Sequence, residues 1–240
     1  VPTTYGLLLL LPADVTDTAQ LMFPAQRLLT SLEGFLRGRG AGTTELHVAR
    51  GEIIVNRGAP CTGFHLVVYG QVKLALTSPQ GGEKVVEIVG PGFSFGEALM
   101  FMGSPYIVMA QALADSLLLH VSQEVVFGEI ERDPMFARRM LAGMSRRLHS
   151  VISDVESYSL QSGTERVIGY LLHQDERQAQ ANASYAITLP TSKTVVASRL
   201  NVTPEHFSRI LHELAEARLI SVDGRAITIL DAARLRSYRG

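Results

Sequence analysis

The chain carries a single cysteine, Cys61. That excludes a disulfide framework, and with it any iron–sulfur cluster held only by this chain's own thiolates, which takes four. One thiol fits a reducing compartment, and Cys61 reads as a small loop side chain. Long apolar runs are missing as well. The longest near the N-terminus, Leu7 to Leu11, stops at Pro12, far short of the roughly 20 residues that span a bilayer. No basic residue precedes it, so a secretory leader is not expected. The expectation is a cytoplasmic protein without a membrane partner.

Charge of one sign is equally scarce. Over 240 residues, 22 Lys and Arg face 23 Asp and Glu, which excludes a strongly basic coat. The balance is uneven along the chain, however. Residues 1–162 hold 12 basic and 15 acidic groups, while residues 163–240 hold 10 and 8. The C-terminal part therefore has the sign that a DNA-binding module requires. Catalytic signatures are thin: there is no His-x-His pair of the metal-binding cupin kind, no Walker loop and no Cys/His pair. Enzymatic activity is not expected, and no metal set is specified.

What is present falls into three textures. Residues 1–44 give little beyond a possible short helix over Leu28 to Leu36 and a flexible break over Gly38 to Gly42. From Glu45 onward, short β-type runs follow one another: LHV, EIIV, FHLVVYG, QVKLAL, KVVEIV, YIVMAQA and SLLLHV. Turns rich in Gly and Pro separate them, which predicts an antiparallel barrel or jelly roll, not a doubly wound sheet. After Asp133-Pro134 the period becomes helical for about 27 residues. Ala137, Leu141, Met144, Leu148, Val151, Val155 and Tyr158 alternate steps of four and three, the a/d spacing of a helix that pairs with a second copy of itself. Met140 and Ile152 lie on a neighbouring strip that would face the barrel. Ser162-Gly163-Thr164 should break this helix, with another from Glu165 to about Gln180. The predicted division is 1–132, 133–162 and 163–240.

The third texture is the most specific. Ser192 can N-cap a helix carrying Val195, Val196 and Leu200, and Asn201-Val202-Thr203 makes the turn. Pro204 at the first helical position, with Glu205 beside it, starts a second helix. That helix buries Phe207, Ile210, Leu211 and Leu214. A LISV strand, an Asp223-Gly224 turn and an AITIL strand then predict a hairpin. Two helices across a three-residue turn, followed by a hairpin, form a winged helix-turn-helix. Its second helix would offer Glu205, Ser208 and Arg209 to base edges in the major groove. Thr164, Lys193, Arg199, Thr203, His206 and His212 are further candidate DNA contacts, most of them to phosphate, which orient without specifying.

On these motifs the chain resembles the CRP/FNR superfamily of bacterial transcription regulators. ASRLNVTPEHFSRILHEL matches the family's helix-turn-helix almost position for position, and GEIIVNRGAPCTGFHLVVYGQVKL with GEALMF matches its sensor barrel. The resemblance implies an α+β protein: a cyclic-nucleotide-binding-like jelly roll, a long dimerisation helix and a winged helix-turn-helix. It further implies a cytoplasmic homodimer that binds double-stranded DNA and engages RNA polymerase, as activators of the family do. The E-x-x-S-R of the FNR-like branch, here Glu205, Ser208 and Arg209, implies a TTGAT…ATCAA-like palindrome.

The sensor departs from the family. Where cAMP-binding members follow Gly-Glu with Arg-Ser or Arg-Thr, counting from Gly96-Glu97 reaches Ile107 and Val108. No Lys or Arg occurs from Gly96 to Ala114, and a buried phosphate without a cation costs several kcal/mol, of order. Canonical cAMP binding is therefore not expected. EALMFMGSPYIVMAQAL is similar instead to the Dnr group, associated with nitric-oxide sensing and with haem as the proposed cofactor. The resemblance implies an apolar effector pocket from Gly96, Glu97, Met100, Phe101, Met102, Ile107, Val108 and Met140. His65, His120 or His149 would be the candidate axial ligand. A cyclic-nucleotide response (cAMP or cyclic di-GMP) and effector-independent DNA binding stay open as alternatives.

Overall fold

In a computed structural model, residues 42–78, 81–173 and 184–238 are described. The possible helix at 28–36 and the predicted loop at 178–183 lie outside them. The described residues divide into two compact units, one of 42–77 with 86–144, the other of 78, 81–85, 145–173 and 184–238. This division falls inside the long helix.

Residues 43–122 form two four-stranded antiparallel sheets. One has the order β1-β8-β3-β6, from Thr43–Val48, Ser116–Ser122, Gly63–Tyr69 and Ser94–Phe95. The other has the order β2-β7-β4-β5, from Ile53–Val55, Met109–Ala112, Val72–Thr77 and Glu83–Val89. β3 is buried on both faces, because successive side chains alternate across the sheet. Its odd positions His65 and Val67 meet the sheet interior with Phe95, Tyr106 and Leu118, while Phe64 and Leu66 pack with Met100, Val126 and Phe136. This is the expected jelly roll.

Two details differ from expectation. YIVMAQA is a strand only over Met109–Ala112. The Tyr106 amide donates to the Ala59 carbonyl and its carbonyl accepts from Gly58, which holds that residue out of the sheet. Two short helices also went unpredicted: α1, Glu97–Met102, and α2, Gln123–Arg132. Ser122 N-caps α2 by accepting from the Val125 amide, the role a serine plays best.

The long helix α3 runs Pro134–Leu160. Phe136 anchors it in the core of the first unit, with Met140 packed beside it. Leu141, Leu148, Val151 and Val155 are between 52% and 62% exposed, so the predicted seam stands uncovered on one chain. Ala137, Met144 and Tyr158 are half-buried. Ile152 is exposed rather than packed, at 57%.

The helix ends for a local reason. The Ser162 amide donates to Glu165 and the Glu165 amide to the Ser162 hydroxyl, a capping box that starts α4, Gly163–His173. The rest of the second unit is β9 (Tyr185–Thr188), α5 (Lys193–Arg199), α6 (Pro204–Glu216), β10 (Ile220–Asp223), β11 (Ala226–Ile229) and α7 (Ala232–Ser237). β10, β11 and β9 form one antiparallel sheet beneath the helices. One core joins Val167, Leu171, Val196, Phe207, Ile210, Leu214, Ile227 and Leu235.

Candidate nucleic-acid interface and sensor region

The second helix of the predicted helix-turn-helix is built as its sequence dictates. Ser192 N-caps α5, and Thr203 N-caps α6 by accepting from the His206 amide at 3.2 Å. Pro204 occupies the first helical position, where its missing N–H is no loss. Phe207, Ile210, Leu211 and Leu214 are buried, while Glu205, Ser208, Arg209 and His212 are exposed. Docking of the apolar face therefore forces the polar row outward. The Arg209 side chain is 67% exposed and lies 3.8 Å from Glu213, a loose pair that leaves its donors available. His212 lies 3.3 Å from Glu216.

The flanking candidates divide. Lys193 and Thr164 are half-buried and Thr203 is exposed, though its hydroxyl serves the cap. His206 is half-buried against Gly163, where an added Cβ would lie 2.9 Å from its ring. Arg199 is engaged elsewhere: Nη2 is 2.7 Å from Asp154 and Nη1 donates to Tyr158 Oη at 2.6 Å. It faces the lower part of α3 in this structure, and Tyr158, expected in the seam, returns a hydrogen bond to the Arg199 carbonyl. The wing turns at Gly224-Arg225, with Asp223 paired to Ala226 and Gly224 at φ 58°.

In the first unit the candidate pocket residues do not all converge. Gly96 takes φ 100°, and an added Cβ would meet the Tyr106 hydroxyl at 2.8 Å and the Gly63 carbonyl at 3.2 Å. The glycine is thus required by backbone and packing, whatever is bound. Glu97 is half-buried in the first turn of α1, and Met100 is buried in the core shared with Met140. Phe101, Met102 and Ile107 are exposed, whereas Val108 packs inward.

Sequence reasoning missed Tyr106. Its buried ring lies beside His65, and its hydroxyl is 3.2 Å from His65 Nδ1. His65 stacks on Phe95 with centroids 4.9 Å apart, and the His120 ring is 4.9 Å away. Burial, aided by the neighbouring His120, pulls the His65 pKa down to about 3. One face of His65 lies on Phe95 and Nδ1 is engaged by Tyr106, which leaves Nε2 as the ring nitrogen outside that bond. His120 is half-exposed, with Nε2 3.3 Å from the Thr62 hydroxyl, and burial lowers its pKa too. His149 is exposed on α3. Among the described residues, no group of three or more His, Cys, Asp or Glu could hold a metal ion.

Gly92-Phe93-Ser94-Phe95-Gly96 spells the Gly-x-Ser-x-Gly of nucleophile elbows, a match to set against the expectation of no catalysis. Ser94 lies within β6, paired with Leu66, and not on a strand-to-helix turn, so the chemistry of that motif is not assembled.

A jelly roll, a long helix with an open apolar seam and a winged helix-turn-helix with an exposed polar row define the class of a DNA-binding regulator. The comparisons agree. The cyclic nucleotide-binding domain family matches residues 45–133, and the Crp-like helix-turn-helix domain family matches residues 165–238. The nitrogen fixation regulation protein FixK of Bradyrhizobium diazoefficiens is 26% identical over 193 residues, covering 80% of each chain. The CRP-like cAMP-activated global transcriptional regulator of Mycobacterium tuberculosis is 22% identical over 187 residues, 78% of this chain and 84% of that one. The structure of FixK2 from Bradyrhizobium japonicum superposes with a TM-score of 0.70 at 25% identity, over 80% of this chain and 95% of that one. The chain belongs to the CRP/FNR family of transcription regulators. Among the described residues no helix is long and apolar enough to cross a membrane.

Proposed function

We propose that this regulator acts in the cytoplasm as a homodimer on a TTGAT…ATCAA-like palindrome. The observation that carries the reading is the row Glu205, Ser208, Arg209 and His212, displayed on a helix whose other face is fully buried. Arg209 is placed to donate two bonds to guanine O6 and N7, and Glu205 to accept from cytosine N4. Lys193, Thr203 and Thr164 would hold phosphates. The uncovered Leu141, Leu148, Val151 and Val155 stripe supports the dimer, since an apolar row of that length is costly in water. A dimer spaces its two reading helices, and only a spacing near 34 Å matches successive major grooves. Arg209→Ala is expected to lose about 1–3 kcal/mol of discrimination at the guanine step while binding non-specific DNA as before. Competition gel shifts between the palindrome and its guanine-substituted variants measure this, and unchanged discrimination would refute the placement.

For the signal, the reading is an apolar effector, as in the Dnr-type group of nitric-oxide regulators, or none at all. Ile107 and Val108 offer no charge where a cyclic phosphate would need one. The match to a cyclic nucleotide-binding domain keeps cAMP as the second reading. Haem, if it binds, would use His65, His120 or His149. Cyclic AMP at millimolar concentration should leave the melting temperature unmoved, whereas a Soret band shifted from that of free haem on reconstitution would support the haem form. A rise in melting temperature with cAMP would overturn the apolar reading. RNA polymerase is the protein partner expected of a regulator of this family.

A further inference from the structure

Three backbone carbonyls converge on one guanidinium in the C-terminal unit. Arg166, in the first turn of α4, donates from Nη1 to the Gln161 carbonyl at 2.7 Å and from Nε to the Leu200 carbonyl at 2.9 Å. Its Nη2 donates to the Asn201 carbonyl at 3.2 Å. Gln161 directly follows α3, while Leu200 and Asn201 begin the turn between α5 and α6. Leu200 is the C-cap of α5, where carbonyls lack helical partners and carry the negative end of the helix dipole. A fixed cation is favourable there. Only the rigid, forked guanidinium, with five donors in a plane, can reach three carbonyls arranged this way. Asn201 holds φ 56°, a sparsely populated region for a residue other than glycine, so the turn gains from an outside hold.

A second strap runs alongside. Arg199 pairs with Asp154 at 2.7 Å and exchanges hydrogen bonds with Tyr158, and the Arg166 guanidinium lies 6.0 Å over the Tyr158 ring. The last turns of the long helix and the residue that follows it are thereby tied to the end of α5 and the start of the α5–α6 turn.

We infer that Arg166 is a positioning residue for DNA reading. It fixes the α5–α6 turn, and with it the entry of α6, to the end of the long helix, and it does not itself contact DNA. The inference rests on the DNA-reading role proposed for α6.

The test uses the full chain and a duplex that the wild-type protein selects from a random-sequence pool, so no assumed site enters. Selection of no sequence at all would overturn the DNA-reading proposal along with this one. With a selected duplex in hand, the remaining results bear on Arg166 alone. Arg166→Lys keeps the charge and loses the fork. At a temperature where circular dichroism shows it folded, its affinity should fall about tenfold or more, with the slope of log K against log salt unchanged. Tyr158→Phe removes a hydroxyl and no charge, and should lose about threefold, again at constant slope. A purely architectural role would lower the melting temperature and leave affinity at the folded temperature intact, which overturns the inference. A slope shallower by about one would make Arg166 an ordinary phosphate contact and overturn it too. Should Arg166→Lys fail to fold, Arg166→Gln, which keeps an amide donor for one of the three carbonyls, decides in its place, and unchanged affinity in it is the refuting result.

Discussion

Acidification is expected to unfold the N-terminal unit through His65. The unfolded chain's histidine takes a proton near pH 6.5, while the folded one resists until about pH 3. Between those values the unfolded state binds more protons, so stability falls as pH falls, by about 1.4 kcal/mol per pH unit. Carried through the window, this one side chain removes about 4–5 kcal/mol, a large share of a domain's net stability. His120 adds in the same direction, since burial lowers its pKa as well, with Glu124 opposing. Tyr106 and Phe95 are the other groups against the ring, and neither titrates in this range: burial pushes the Tyr106 hydroxyl upward. His65→Gln, which keeps a hydrogen-bonding group toward Tyr106 and cannot titrate, should be less stable at pH 7 and have a flatter acid limb. Urea titrations at pH 7, 6, 5 and 4 measure both. Parallel limbs in wild type and variant would remove His65 as the cause.

What could be read from the sequence follows the range of the forces involved. The reading helix was legible because its signals are local: the Thr203 cap, Pro204, and an apolar row at helical spacing all lie within a dozen residues. The length of α3 was legible for the same reason. The sensor was legible in its charge but not in its packing. YIVMAQA has strand composition throughout, yet Tyr106 is pulled inward by a backbone pairing with Gly58 and Ala59 and by His65, partners some 41 to 48 positions away. α2 hides in QEVVFGEIER, which buries only Val126 fully and so shows little period. Arg199 illustrates the limit most clearly. Its place at the end of α5 suits a phosphate contact, and only the fold brings Asp154 and Tyr158 against it. Gly96 is the converse case, a residue resembling a ligand signature whose φ and crowding by Tyr106 supply a sufficient reason for it.

Phe207 separates folding of the reader from reading itself. The ring is fully buried at the centre of the C-terminal core, with Ile210, Leu214, Val196 and Ile227 in the same cluster. Phe207→Ala removes that packing and leaves a cavity, at a cost of about 3–5 kcal/mol. For a domain of this size each kcal/mol moves the melting temperature by about 4–8 °C, so the reader's transition should drop by tens of degrees. Because the chain forms two compact units, unfolding need not be a single transition. The N-terminal unit's transition should stay where it is. DNA binding should vanish above the lowered midpoint and return on cooling. Ser208→Ala, one residue further on and exposed, should shift the midpoint by no more than about 0.5 kcal/mol and act on site preference alone. Differential scanning calorimetry of both variants reads this contrast. If Phe207→Ala left the reader's transition in place, α6 would not be docked through the face assigned to it, and the outward row of Glu205, Ser208 and Arg209 would lose its structural basis.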